Sequence, residues 1–165
     1  MTRVIVCDTG PLLHLSEAGA IDLLSLVGDI LIPTLVAIEF ESNAQGWRPP
    51  QWVKVVELES SARQKAEKWT KANQIDAGEA EAINLALQVK ADWLLTDDAK
   101  ARQLAESMGL EVHGSIGILL WTVAAGNIRD KSLAFNLLDN LANSSLWISE
   151  RVLQEGRKAI DALFE

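Results

Sequence analysis

Three short runs, Val4-Ile5-Val6-Cys7, Ile30-Leu31-Ile32 and Trp93-Leu94-Leu95-Thr96, constrain the fold of this chain more than any other feature. They are apolar almost without interruption, so neither face of the strands they predict can meet water. Strands buried on both faces belong inside a parallel sheet, and parallel neighbours need a crossover of a dozen or more residues. The intervening stretches supply it. Pro11 suits the first turn of a helix carrying Leu12, Leu13 and Leu15, which Gly19 closes. Residues 21–27 read as a second short helix, and the apolar spacing from Thr34 predicts a third that carries Glu39 and Glu41. Gly46, Pro49 and Pro50 mark a loop over 43–51, before a short edge strand at Val53, Val55 and Val56. Ser60 is placed to cap a polar helix through Ala72, and Asp76 opens a strong helix to about Val89 with Ala80, Ile83, Ala86 and Leu87 as its stripe. A helix over 99–108, a strand over 111–113, an apolar helix over 115–125 and two helices within 130–165 complete the pattern, the last capped by Ser149. Alternating strands and helices predict one α/β domain over 1–165, with a central parallel sheet of about four to five strands flanked by helices.

Composition narrows the function classes. With 165 residues, 48% hydrophobic and 23% charged, the chain reads as an ordered domain able to bury a core. No apolar run approaches the roughly 20 residues of a membrane span, and the N-terminal run is too short for a signal peptide. A single cysteine, Cys7, reads as a buried core thiol, and a cytoplasmic location is expected. The net charge of −8 opposes broad neutralisation of nucleic-acid phosphates, although a bound divalent ion reverses the potential locally.

In a parallel α/β sheet, functional groups gather beyond the carboxyl ends of the strands, near the point where strand order reverses. Asp8 follows the first run and Asp97-Asp98 follow the run at Trp93. If those strands pair, about 4.8 Å apart, the carboxylates face one another, and either a proton or a cation must lie between them. Carboxylates without a neighbouring thiolate or imidazole form a hard oxygen site suited to Mg²⁺ or Mn²⁺. Glu39, and Glu79 in the first turn of the helix opened by Asp76, are placed to join them. Each acid also has a plainer role. Asp8 and one of the Asp97/Asp98 pair read as helix caps, Asp76 and Glu79 stand at capping-box spacing, and Glu39, Glu41 and Glu81 read as solvated helix residues. A dinucleotide fold would want a glycine-rich turn after the first run, and an aspartate-nucleophile phosphatase would want a second aspartate where Gly10 stands.

The blocks Val-Cys-Asp-Thr-Gly-Pro-Leu (6–12), Ile-Pro-Thr-Leu-Val-Ala-Ile-Glu (32–39), Gly-Glu-Ala-Glu-Ala-Ile-Asn-Leu-Ala (78–86) and Leu-Leu-Thr-Asp-Asp-Ala-Lys-Ala-Arg (94–102) together resemble, in order, those of PIN domains. Val-His-Gly-Ser-Ile-Gly-Ile-Leu (112–119) is similar to a nucleic-acid-binding subgroup grouped with VapC-type toxins. The blocks span about 4–126, and the helical segment 130–165 adds nothing to the resemblance. The resemblance implies a three-layer PIN-like fold and a Mg²⁺- or Mn²⁺-dependent endoribonuclease, blocked in the toxin branch by a small antitoxin protein. Its acids fall on Asp8, Glu39, Glu79 and the Asp97/Asp98 pair, with Thr9 and Thr96 supporting and Glu81 a rival for the third position.

Lys100, Arg102 and Arg48 are candidate RNA contacts, and Trp47 stands on a loop where a base could stack. Arg63, Lys65, Lys68 and Lys71 read as a solvated stripe, and the other five tryptophans as core or interface residues. His14 and His113 read as non-catalytic, because no nucleophile is spaced to form a triad with either. Leu119, Leu120 and Trp121 offer apolar surface for a homodimer. The competing reading is a catalytically weak PIN-like scaffold acting through a protein partner, which the net charge favours.

Overall fold

The computed structural model describes residues 2–165. Its five strands, β1 (Val4–Cys7), β2 (Asp29–Pro33), β3 (Val53–Val56), β4 (Trp93–Leu95) and β5 (Val112–His113), form one parallel sheet in the order β3-β2-β1-β4-β5. The chain lays β1, β2 and β3 outward in one direction, then returns to place β4 on the other side of β1. Strand order therefore reverses between β1 and β4, where Cys7 lies opposite Leu95. That reversal opens a crevice at the carboxyl end of the sheet.

The described residues hold nine helices: α1 (Thr9–Glu17), α2 (Leu24–Val27), α3 (Thr34–Asn43), α4 (Ser60–Lys71), α5 (Ala77–Val89), α6 (Ala99–Ser107), α7 (Ser115–Ala124), α8 (Lys131–Ala142) and α9 (Glu150–Leu163). Strand periodicity divides the core between two faces. Ile5, Cys7, Ile30, Ile32, Trp93 and Leu95 point to the layer of α1, α3, α7, α8 and α9. Val6, Leu31 and Leu94 point to the layer of α4, α5 and α6. This is the expected α/β architecture with helices on both faces of a parallel sheet. Among the described residues, no helix is long and apolar enough to cross a membrane.

Helix starts follow local chemistry closely. Asp76 accepts from the Glu79 N–H while Glu79 accepts from the Asp76 N–H, a complete capping box. Ser149 caps α9 by accepting from Val152. Ser60 does not cap α4; it is the first helical residue, and Glu59 holds the cap position without a side-chain bond.

The surface differs from expectation in three places. Leu119 is fully buried, and Trp121 packs edge-on against Trp93 beneath the Arg3 guanidinium, so of the three apolar residues only the half-buried Leu120 and Trp121 reach the surface. Trp47 lies edge-on against Phe40 with centroids 4.4 Å apart, which removes it as a free stacking surface. Trp147, expected in core or interface, is 85% exposed.

Candidate active site

Asp8 leaves β1 at the crevice, where its backbone N–H donates to the Leu95 carbonyl at 2.9 Å and so extends the β1–β4 ladder by one bond. Its side chain is buried. One carboxylate oxygen accepts from the Thr9 N–H at 2.8 Å and the other from the Thr96 hydroxyl at 3.1 Å. Burial raises the Asp8 pKa to about 7; the two hydrogen bonds oppose that rise, and the charges of Asp76 and Glu39 add to it. Thr96 also accepts from the Asp98 N–H, so one hydroxyl ties the ends of β1 and β4 together.

Glu39 reaches the same cleft from α3. Its Oε2 accepts from the Thr9 hydroxyl at 2.6 Å. Gly78 makes room for it, since a Cβ there would stand 2.7 Å from Glu39 Oε1. Glu79 lies one residue farther along α5. Its pKa is raised, first by desolvation and then by the charges of Asp76, Asp8 and Asp98, against the bond from the Asp76 N–H. Asp8, Glu39, Asp76, Glu79, Asp97 and Asp98 all line one cleft of about 430 Å³.

The two adjacent aspartates are held differently. Asp97 Oδ1 accepts from the Ser115 N–H at 2.7 Å, and Oδ2 meets the Ser115 hydroxyl at 2.5 Å and His14 Nδ1 at 2.7 Å. Because an ionised carboxylate only accepts, His14 carries its hydrogen on Nδ1. Gly114 permits this approach, since a Cβ there would stand 2.7 Å from Asp97 Oδ1. Asp98 instead caps α6 through one oxygen, accepting from the Ala101 N–H at 2.9 Å.

The structure gathers most of the expected residues and separates a few. The Thr9 hydroxyl donates to Glu39 and the Thr96 hydroxyl to Asp8. Glu81 lies outside the cleft, in a depression between α4 and α5 with Ala66 and Lys71. Lys100 faces a different depression beside Gln74 and Gln103. Arg48 is exposed and lies 3.8 Å from Glu41. Arg102 sits beside the cleft, in an adjoining depression that shares Asp97 with it.

Four contributors were missed from sequence. His14 lines the cleft, and a sign of this lay in its position four residues after Gly10, on the same face of the helix that Asp8 opens. Asp76, read only as a cap, also faces the cleft. Leu146 and Trp147 complete the wall from the segment between α8 and α9, so the C-terminal region does contribute to the site.

The carboxylates suit a hard cation, and the one imidazole in the cleft, that of His14, has its Nδ1 engaged by Asp97. Among the described residues, no three His, Cys, Asp or Glu side chains are gathered closely enough to hold a metal ion outright. The acids surround the cleft without closing on one point. That arrangement fits a divalent ion that keeps several waters and takes only one or two carboxylates directly, as Mg²⁺ does. The pKa values of Asp8 and Glu79 are raised mainly by burial, and the neighbouring carboxylates add to the rise.

A family model described as a PIN domain matches residues 4–161, well past the blocks legible in the sequence and through most of α9. No curated protein matches the chain. PIN domains are generally nucleases and typically use divalent metal ions, which agrees with acids collected at the sheet's reversal point. With nearly the whole chain matched, and with the parallel sheet in place, this protein belongs to the PIN-domain family.

Proposed function

We propose that this PIN domain is an endoribonuclease that hydrolyses RNA phosphodiesters with Mg²⁺ or Mn²⁺, and that it acts in the cytoplasm as the toxin of a toxin–antitoxin pair. One observation carries the reading: carboxylates from β1, α3, α5 and the end of β4 line a single cleft where strand order reverses. The toxin assignment rests on the likeness of residues 112–119 to the VapC-type subgroup, and the antitoxin would be a small protein covering this cleft.

Asp8, Glu39, Glu79 and Asp98 are the residues that would hold the ion. Asp98 is preferred over Asp97 because Asp97 already holds three partners, two of them on Oδ2, whereas Asp98 accepts only the Ala101 N–H and each Asp8 oxygen accepts a single bond. A divalent ion bound there supplies an acidified water for in-line attack and positive charge for the leaving oxygen. The remaining work falls to the chain itself. Thr96 and the Thr9 N–H fix the Asp8 carboxylate, and the Thr9 hydroxyl aims Glu39. Asp97 fixes the His14 ring and the start of α7. Leu146 and Trp147 line one side of the cleft.

Single-turnover cleavage of RNA in Mg²⁺ or Mn²⁺, wild type against Asp8→Asn, tests the reading. Loss of an outer-shell partner alone costs about 10- to 100-fold, so loss of a direct ligand is expected to cost about 100-fold or more. Equal rates would favour the scaffold reading, which the net charge of −8 already makes the natural rival.

A further inference from the structure

Trp147 is the most exposed large apolar side chain among those of the described residues, at 85%. Its exposure does not come from a loose segment. Ser144 is bonded to the Leu141 carbonyl and accepts from the Leu146 N–H, Ser145 is bonded to Glu17 of α1, and Ile148 packs against the core. The backbone is pinned on both sides of Trp147, and the indole is presented outward.

Trp147 and Leu146 form the ridge between two depressions. On one side lies the acidic cleft. On the other lies a depression of about 310 Å³ with Ile116, Ile148 and Val152 among its lining, and Arg102 as its only lysine or arginine. The Arg102 side chain is 41% exposed, and its nearest partners are distant: the Val112 carbonyl at 3.4 Å and Glu106 at 3.8 Å. A guanidinium has five N–H donors, so most of those on Arg102 remain available.

A flat aromatic face, an apolar floor and a guanidinium with donors to spare, set directly beside a cleft suited to a phosphodiester, match the parts of one nucleotide. The volume suits a small-molecule unit rather than a packed partner helix, and arginine is the side chain best shaped to grip phosphate. We infer that Trp147 is a stacking platform for an unpaired base flanking the scissile phosphate, with Arg102 on that nucleotide's phosphate. This inference rests on the nuclease reading and names the residues that hold the base and the phosphate beside its cleft.

The test measures anisotropy of a short fluorescein-labelled single-stranded oligoribonucleotide of mixed sequence, with Ca²⁺ replacing Mg²⁺ to suppress cleavage. An abasic oligomer of the same length serves as the second probe. Base–aromatic stacking predicts about a 10-fold or greater loss of affinity in Trp147→Ala, with Trp147→Phe retaining most of it. The abasic oligomer should bind wild type and Trp147→Ala equally, and Arg102→Gln should weaken both probes. Trp147 is exposed, so an unchanged thermal melt confirms that the variant is folded.

Equal affinity of wild type and Trp147→Ala for the oligoribonucleotide overturns the platform. So does a loss that persists with the abasic oligomer, or an effect of Trp147→Ala confined to self-association in the ultracentrifuge. A wild type that fails to bind the oligoribonucleotide overturns it as well. Cleavage of RNA by wild type, assayed in parallel, then shows whether the nuclease reading survives without it.

Discussion

At Asp97 both carboxylate oxygens are occupied, by the Ser115 N–H and hydroxyl and by His14, and the side chain is 9% exposed. Asparagine keeps only one acceptor oxygen and would turn an amide N–H toward groups that themselves donate. Asp97→Asn should therefore cost about 1–3 kcal/mol of stability, the usual penalty for a buried donor left unpaired. At Asp98 the balance is reversed. Asparagine caps a helix about as well as aspartate, so Asp98→Asn should change stability by no more than about 0.5 kcal/mol. The same change removes a charge facing the cleft, and RNA cleavage should fall about 100-fold. Thermal melts and single-turnover rates of the two variants check this division; a stable Asp97→Asn or a fully active Asp98→Asn would undo it. The sequence shows both aspartates at the end of a strand but not which is tied down. That depends on Ser115 and His14, which reach the site from elements 18 and 83 residues away.

The N-terminal turn of α5 serves two purposes at once. Asp76 and Glu79 close its capping box, Gly78 lies between them, and Glu39 of α3 occupies the space a Gly78 side chain would need. Alanine is a better helix former than glycine by about 1 kcal/mol, and the atoms it would meet are the far end of a flexible side chain. Gly78→Ala should therefore fold with stability equal to or above wild type while pushing Glu39 off the Thr9 hydroxyl. Cleavage is expected to fall by about 10-fold or more with no loss in Tm, the signature of a misplaced carboxylate in a sound fold. A Gly78→Ala enzyme of full activity would show that Glu39 is not required where it stands. This turn was legible in the sequence because capping is local, three residues apart. The wall built by Leu146 and Trp147 was not, because its placement depends on bonds such as Ser145 to Glu17, 128 residues distant. Nor could Trp47 be told from Trp147, since both stand in polar loops and only the contact with Phe40 separates them.

Over the whole molecule the net charge is −8, and six of the acids line the cleft where strand order reverses. The buried runs that predict a parallel sheet also fix Asp8 and the Asp97/Asp98 pair at its reversal point, so fold and cleft follow from the same residues. The consequence appears in stability. Asp8 has a folded pKa of about 7 against an ordinary value of 3.8, so the folded state holds its proton more tightly than the unfolded state. A raised pKa of this kind contributes stability fully below about pH 4, and that contribution is lost as pH rises through about 7. Glu79 and Glu81, both raised, act in the same direction. The metal-free protein should melt at a lower temperature at pH 8 than at pH 5, by roughly 2–4 °C for each kcal/mol lost. Asp8→Asn should flatten that slope. On the proposed reading, Mg²⁺ or Mn²⁺ would bind the ionised acids only in the folded state, and so should raise Tm more at pH 8 than at pH 5. Scanning calorimetry of wild type and Asp8→Asn, with chelator or with millimolar metal at each pH, reads all three effects. A metal-free Tm that climbs from pH 5 to pH 8, or a metal-induced rise of equal size in Asp8→Asn, would mean that the charge strain lies elsewhere in the molecule.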